Sequence, residues 1–308
     1  MEREEILLAE VPTLGGLYAT GARQSISAAR AQRREGHVGD IPAVVHEVRD
    51  ARFDPAQLTD YQHLLGEEGR DAAPAGFVHV AAFPVAMSVL VREDFPLPLM
   101  GMVHIANTVE QFAPVFLGEE FSVRAWAQDL RAHRRGALVD VLVEVFVSGE
   151  LRWRGRSTYL AKGVSVPYAD QQGSAGENVA APNGGPDDSQ RPPRVGSWRL
   201  PASIGREYGA VSGDRNPIHM SALSAKALGF PRAIAHGMYT AARALAVIGC
   251  ASDPGFRWDI SFAKPVLLPG TVAFGAEPFA DGGWRYAGWN PKKEKLHFSG
   301  EVMPLSGK

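Results

Sequence analysis

The sequence predicts an α+β protein in which one pattern, an apolar helix followed by an antiparallel run of strands, is built twice. Three observations carry this. Two apolar helical stretches, residues 78–91 and 237–248, each stand upstream of several strand-like segments. A similar turn introduces each set, Phe112-Ala113-Pro114-Val115-Phe116-Leu117-Gly118 in one half and Phe262-Ala263-Lys264-Pro265-Val266-Leu267-Leu268-Pro269-Gly270 in the other. Between the halves, ten of the 33 residues 165–197 are Gly or Pro, and only Val166, Tyr168, Val179 and Val195 are large and apolar. Such a segment cannot bury a face and reads as a flexible linker. It divides the 308 residues into an N-terminal domain, 1–164, and a C-terminal domain, 198–308.

In order along the chain, residues 78–91 read as a buried helix, with Pro84 expected in its first turn, where a missing N–H is harmless. Residues 121–127 read as a strand. In 138–147 every odd position is valine while Asp140 and Glu144 occupy even ones, the period of two of a half-buried strand. Ser148-Gly149-Glu150 turns the chain, and Arg152, Arg154 and Arg156 alternate with Trp153, Gly155 and Ser157 in the next strand. The three form an antiparallel meander. Past the linker, residues 208–211 begin a polar, glycine-containing segment and 221–228 read as a short helix. After the apolar helix come strands at 260–262, 271–276, 284–289 and 296–303, with Asp281-Gly282-Gly283 as a hairpin turn. One helix against one sheet leaves a helix face and a sheet edge uncovered, so the two halves are expected to pair as a pseudo-dimer within one chain.

Composition excludes several functions. With 45% hydrophobic and 21% charged residues the chain is an ordinary globular protein. A net charge of -2 lacks the basic surplus of a general nucleic-acid binder. The single cysteine, Cys250, permits neither an internal disulfide nor a thiolate metal site and fits a reducing, cytoplasmic setting. No secretory signal and no stretch of about 20 apolar residues is visible, so no membrane association is expected. P-loop, dinucleotide and nucleophile-elbow motifs are absent, the nine histidines show no metal-ligand spacing, and no cofactor is expected. The basic runs 30–34 and 131–135 read first as solvated faces.

The segment that carries chemistry is Tyr208-Gly209-Ala210-Val211-Ser212-Gly213-Asp214-Arg215-Asn216-Pro217-Ile218-His219. Pro217 keeps Asp214 and His219 off one regular helix, and a bent loop brings both towards one pocket as an acid–base pair. Downstream, Ala235-His236-Gly237-Met238 opens the apolar helix. A glycine there lets a ligand approach an outward-pointing backbone N–H with positive dipole character, suited to a developing oxyanion.

These residues resemble, position for position, the signature of R-specific enoyl-CoA hydratases and MaoC-like dehydratases: an aromatic residue, then Ser-Gly-Asp-x-Asn-Pro-aliphatic-His, then a small residue, here Ala225. Gly229-Phe230 and Ala235-His236-Gly237-Met238 are similar to that family as well. The resemblance implies a double hotdog, two long central helices each wrapped by an antiparallel sheet, acting on (3R)-hydroxyacyl thioesters of CoA or acyl carrier protein in lipid or polyketide-type metabolism. It implies Asp214 and His219 as the catalytic dyad holding the water or 3-hydroxyl, Gly237 as the oxyanion donor, and Asn216 positioning the dyad. Ser212 either orients Asp214 or simply completes the turn, and His236 is expected to be structural.

The N-terminal half departs from the pattern. Tyr61-Gln62-His63-Leu64-Leu65-Gly66-Glu67 stands where Tyr208 to Asp214 should have a counterpart, and no Asp-x-Asn-Pro-x-His follows. One active site per chain is expected, with the N-terminal half shaping an acyl tunnel, while a further homodimer is left open. Two other readings stand beside the hydro-lyase: a hotdog acyl thioesterase, and a non-catalytic acyl-thioester binding module. The dyad argues against both.

Overall fold

The computed structural model describes residues 3–35, 38–166, 191–250, 255–280 and 282–305. Most of the expected linker lies outside the described residues, and so does Asp281 of the expected hairpin turn. The linker reading extends too far at its C-terminal end, because strand β7 (Arg194–Leu200) already starts at Arg194 and pairs with a later strand. The chain forms two compact units that interleave in sequence instead of following the two halves.

The first unit takes Met1–Ala51, Ala82–Asn107 and Glu120–Ala180. Its strands are β1 (Glu4–Leu7), β2 (Val44–Ala51), β4 (Phe121–His133), β5 (Gly136–Val147), β6 (Glu150–Lys162) and residues 102–107 of β3 (Met102–Gln111). The order is β1-β2-β4-β5-β6-β3. β1 runs parallel to β2, and β2, β4, β5 and β6 are successively antiparallel, so the meander read from the valine alternation is present. Val139, Val141, Val143, Val145 and Val147 are all buried, and Val145 faces the fully buried Trp153. Helix α1 (Leu14–Glu35) has no counterpart in the sequence reading. It is held by buried Gln24, whose Nε2 donates to the carbonyls of Phe95 and Leu97 at 2.8 and 3.0 Å.

Helix α3 (Ala75–Leu90) begins three residues before its expected start, because the Pro74 carbonyl already accepts from Phe77 and Val78 N–H. Pro84 lies inside the helix and not in its first turn, beyond which it would stand even with a start at Val78. Proline there removes one main-chain bond and favours a bend. The helix is apolar on every side, as a helix enclosed by protein must be. Its residues 82–90 belong to the first unit, where Ser88 Oγ lies 2.7 Å from His46 Nδ1 on β2, and its residues 75–81 belong to the second.

The second unit adds Arg52–Ala81, Thr108–Glu119 and Ala181–Lys308. Its sheet is antiparallel, in the order β8 (Phe256–Phe262), β11 (Leu296–Pro304), β10 (Trp284–Trp289), β9 (Gly270–Pro278), β7. Helix α7 (Gly237–Ile248), with the bounds expected, lies on this sheet: the Arg243 guanidinium sits 5.1 Å over the Trp198 ring of β7. Short helices α2 (Pro55–Leu65), α4 (Ile204–Ser212), α5 (Pro217–Met220) and α6 (Ala222–Ala227) complete the unit. No helix among the described residues is long and apolar enough to cross a membrane.

Trp258 of β8 is fully buried, and its Nε1–H donates to Tyr286 Oη on β10 at 2.6 Å. The Tyr286 hydroxyl in turn donates to the Asp259 carbonyl at 3.1 Å. Tyr286→Phe strands the indole N–H without an acceptor and should cost about 1–3 kcal/mol. A lower urea midpoint at unchanged slope is the expected result; an unchanged midpoint would show that the indole finds another partner.

Candidate active site

Local hydrogen bonds set the loop from Ser212 to His219. Helix α4 ends in Gly213, whose φ of 73° is the left-handed conformation glycine adopts without strain. Ser212 Oγ donates to the Tyr208 carbonyl at 2.7 Å and accepts from Asp214 N–H at 3.2 Å. Asp214 Oδ1 accepts from Asn216 N–H at 3.1 Å, and Asn216 Oδ1 accepts from Ile218 N–H at 3.3 Å, capping α5. Pro217 opens that one-turn helix at a position where it forfeits no bond. The proline thus starts the turn that carries His219 as well as separating it from Asp214.

Two glycines on α4 admit the loop to its place. A methyl group on Gly205 would lie 2.2 Å from the His219 carbonyl oxygen, and one on Gly209 would lie 2.9 Å from that of Asp214. The Gly205-x-x-x-Gly209 spacing is the available signal, and the polar, glycine-containing segment read from 208 onwards takes in only the second of these glycines.

The side chains then converge. One nitrogen each of His219 and His236 and one carboxylate oxygen of Asp214 lie within 4.8 Å of one another, so His236 joins the expected pair, which linear spacing did not announce. The two imidazoles stack with centroids 3.6 Å apart. His219 Nδ1 is 2.8 Å from the Ile234 carbonyl, and His236 Nε2 is 2.9 Å from the Asp214 carbonyl. A carbonyl only accepts, so both nitrogens carry hydrogen, which leaves lone pairs on His219 Nε2 and His236 Nδ1. The latter atom is buried with no hydrogen-bond partner among the described residues. Burial, reinforced by the adjacent His236, pushes the His219 imidazole down to about 3, and burial lowers His236 as well. Both rings are therefore neutral at pH 7, poised to accept a proton. One nitrogen of each ring and the carboxylate are also donors an ion could use.

The surroundings are aromatic and largely buried. The Tyr208 ring packs 4.9 Å from His236 and 5.7 Å from Tyr239. Tyr61 of α2, the counterpart of Tyr208 in the weak repeat, lies with its ring 6.4 Å from Tyr208, and its buried hydroxyl has no hydrogen-bond partner among the described residues. Burial raises Glu67, the counterpart of Asp214, to about 7. His79 of α3, which the sequence reading passed over, feels the Asp214 charge, yet burial holds it down at about 4. His79 carries no local motif, and only the fold brings it within reach of the Asp214 charge.

Gly237 is the first residue of α7, half-buried between buried neighbours. His236 at the N-cap makes no side-chain bond to the helix amides, so the first turn is left without a side-chain cap. A Cβ on Gly237 would meet the Phe262 ring at 3.0–3.3 Å. A branched residue there would press on β8, so a substitution at Gly237 tests packing as well as the amide.

A MaoC-like domain model matches residues 188–287. The chain is 36% identical over 267 residues to 3-hydroxyacyl-thioester dehydratase X of Mycobacterium tuberculosis, covering 86% of this chain and 91% of the relative. The crystal structure of that organism's HtdX superposes with a TM-score of 0.72 at 32% identity, over 85% of this chain and all of the other. A further Mycobacterium tuberculosis protein with a double hotdog fold matches at 14% identity and a TM-score of 0.50, over 83% of this chain and 93% of its own. The fold is a double hotdog.

Unfolded His79 binds its proton near 6.5, and the folded group near 4. As pH falls below 6.5 the unfolded state takes up the proton first, so stability present above 6.5 is lost towards pH 4. The slope is at most about 1.4 kcal/mol per pH unit for each such histidine. Urea midpoints for His79→Asn should fall less steeply between pH 6.5 and 4 than those of the parent protein; equal slopes would mean that His79 titrates normally.

Gly205→Ala should destabilise by about 1–3 kcal/mol, since backbone must move to admit the methyl group. Gly196→Ala, with nothing within 4 Å of the added atom, should change stability by less than about 0.5 kcal/mol. Equal melting temperatures for the two variants would contradict the close approach.

Proposed function

The chain belongs to the MaoC-like 3-hydroxyacyl-thioester dehydratases, and from that premise we propose that Asp214 and His219 move the proton and the water at one active centre. The protein is a hydro-lyase. We assign its substrates as (3R)-hydroxyacyl thioesters of CoA or of an acyl carrier protein, and the reverse reaction as R-specific hydration of an enoyl thioester. The observation that carries this is the neutral His219: its Nδ1–H is tied to Ile234, its Nε2 lone pair is available, and it lies within reach of the Asp214 carboxylate.

In dehydration the C2–H bond breaks, its electron pair forms the C2–C3 double bond, and the C3–O bond breaks. The proton taken from C2 crosses the His219–Asp214 pair and joins the departing hydroxide, which leaves as water. Charge that builds on the thioester oxygen meets the Gly237 N–H at the positive end of α7. Ser212 and Asn216 act from behind, one holding the Asp214 backbone and the other ordering the turn between the two reacting groups.

Hydration of crotonyl-CoA should be detectable without release of free thiol, giving the 3R product. Asp214→Asn and His219→Ala should each lower kcat by about 10²–10⁴ with native circular dichroism. Near-parental kcat in either variant would remove that residue from the dyad, and thiol release in place of hydration would favour the thioesterase.

A further inference from the structure

A second feature of the same unit is a cleft of about 390 Å³, lined among others by Arg232, Lys264, Lys293, Lys295, Asn290 and His297. No carboxylate among the described residues lines it. All four cations are exposed, and none has an ion-pair partner among the described residues. Two arginines elsewhere in the unit are paired, Arg257 with Asp259 and Arg285 with Glu277 and Glu301. On a chain of net charge -2, four unpaired cations around one cleft repel each other, and an anion between them relieves that repulsion.

The cleft is built by ordered backbone. Asn290 Oδ1 accepts from Lys292 and Lys293 N–H, and Asn290 N–H donates to the Lys295 carbonyl, which fixes the lysine-bearing turn. His297 Nδ1 bonds the Lys264 carbonyl at 3.0 Å and anchors the opposite wall. That wall is continuous with the active centre. Leu268 N–H donates to the Ala233 carbonyl and Ala235 N–H to that of Val266, so the segment from Arg232 runs alongside residues 266–268 directly into His236 and Gly237. Five residues from Arg232 to Gly237 span at most about 17 Å when extended.

We propose that this cleft binds the phosphate of the substrate's thiol carrier, the phosphopantetheine phosphate that CoA and acyl carrier protein share, extended in CoA by its further phosphates. The inference rests on the dehydratase reading. It adds to that reading a carrier-recognition site: the phosphates sit among Arg232, Lys264, Lys293 and Lys295, and the pantetheine arm follows residues 232–236 to the Gly237 amide. Three phosphate-rich features explain the chemistry required: multiple negative charge, exposed oxygens and a flexible link to the acyl group. Lys and Arg supply matching charge-assisted donors.

The test compares crotonyl-CoA, crotonyl-carrier protein and crotonyl-pantetheine, which lacks phosphate, on the intact protein and on Lys293→Met/Lys295→Met and Arg232→Gln/Lys264→Met. Each double variant should raise KM for crotonyl-CoA about tenfold or more, leave kcat within about twofold, and leave KM for crotonyl-pantetheine unchanged. A matching rise for the carrier-protein substrate marks the shared phosphate, and a rise for CoA alone marks its additional phosphates. Unchanged KM for both phosphorylated substrates, or an equal rise for crotonyl-pantetheine, would overturn the proposal. Calorimetric binding of adenosine 3′,5′-diphosphate, lost in the variants, reports on the cleft without any turnover. Binding of that probe by a protein inactive on all three thioesters would sink the dehydratase reading and leave the phosphate site standing.

Discussion

Much of the chemistry hangs on one hydrogen bond, from His219 Nδ1–H to the carbonyl of Ile234. It selects the tautomer, since the nitrogen spent on the carbonyl cannot also be the one that accepts a proton. It ties the one-turn helix α5 to the segment 231–236. A second bond, from Ile234 N–H to the Ile218 carbonyl at 3.1 Å, makes the tie two-stranded. That segment in turn leads to the start of α7 on one side and to the cationic cleft on the other. Loss of the contact would therefore loosen His219, the start of α7 and the cleft wall together.

Burial supplies the second constraint. His79, His219 and His236 all sit where water would stabilise their charged forms but cannot reach, and the Asp214 charge only partly offsets that penalty. Glu67 is shifted the opposite way for the same reason. Desolvation thus keeps the imidazoles uncharged near neutrality while a carboxylate stands beside them. Closure of the pocket by Tyr61, Tyr208 and Tyr239 helps to maintain this, and the orphaned polar atoms of Tyr61 and His236 record what that closure costs.

How much of this was legible in the sequence depended on range. The loop from Ser212 to His219 was readable because its bonds join residues two to four apart, and residue types at fixed offsets determine them. The valine alternation of β5 and the bounds of α7 were readable for a similar reason: period and a terminal Gly249 are local. Helix α1 was not, since its polar face hid a buried Gln24 whose partners lie more than 70 residues away. Pro84 misled because propensity places proline at a helix start, whereas Pro74 already begins the turn that sets the real one. Glu67 and Tyr61 could be aligned with Asp214 and Tyr208, but nothing local revealed that Tyr61 would approach Tyr208 itself.

The side-chain cap missing from α7 has a consequence measured in time. Amides at a helix start without an acceptor lack the bond that slows exchange with solvent, even when the rest of the helix is enclosed. The first residues of α7 should accordingly trade hydrogen for deuterium far sooner than Ala241 to Leu245, one turn further in. A thioester oxygen resting on Gly237 would close that window, so occupancy of the centre would be written in an isotope label carried by the backbone alone.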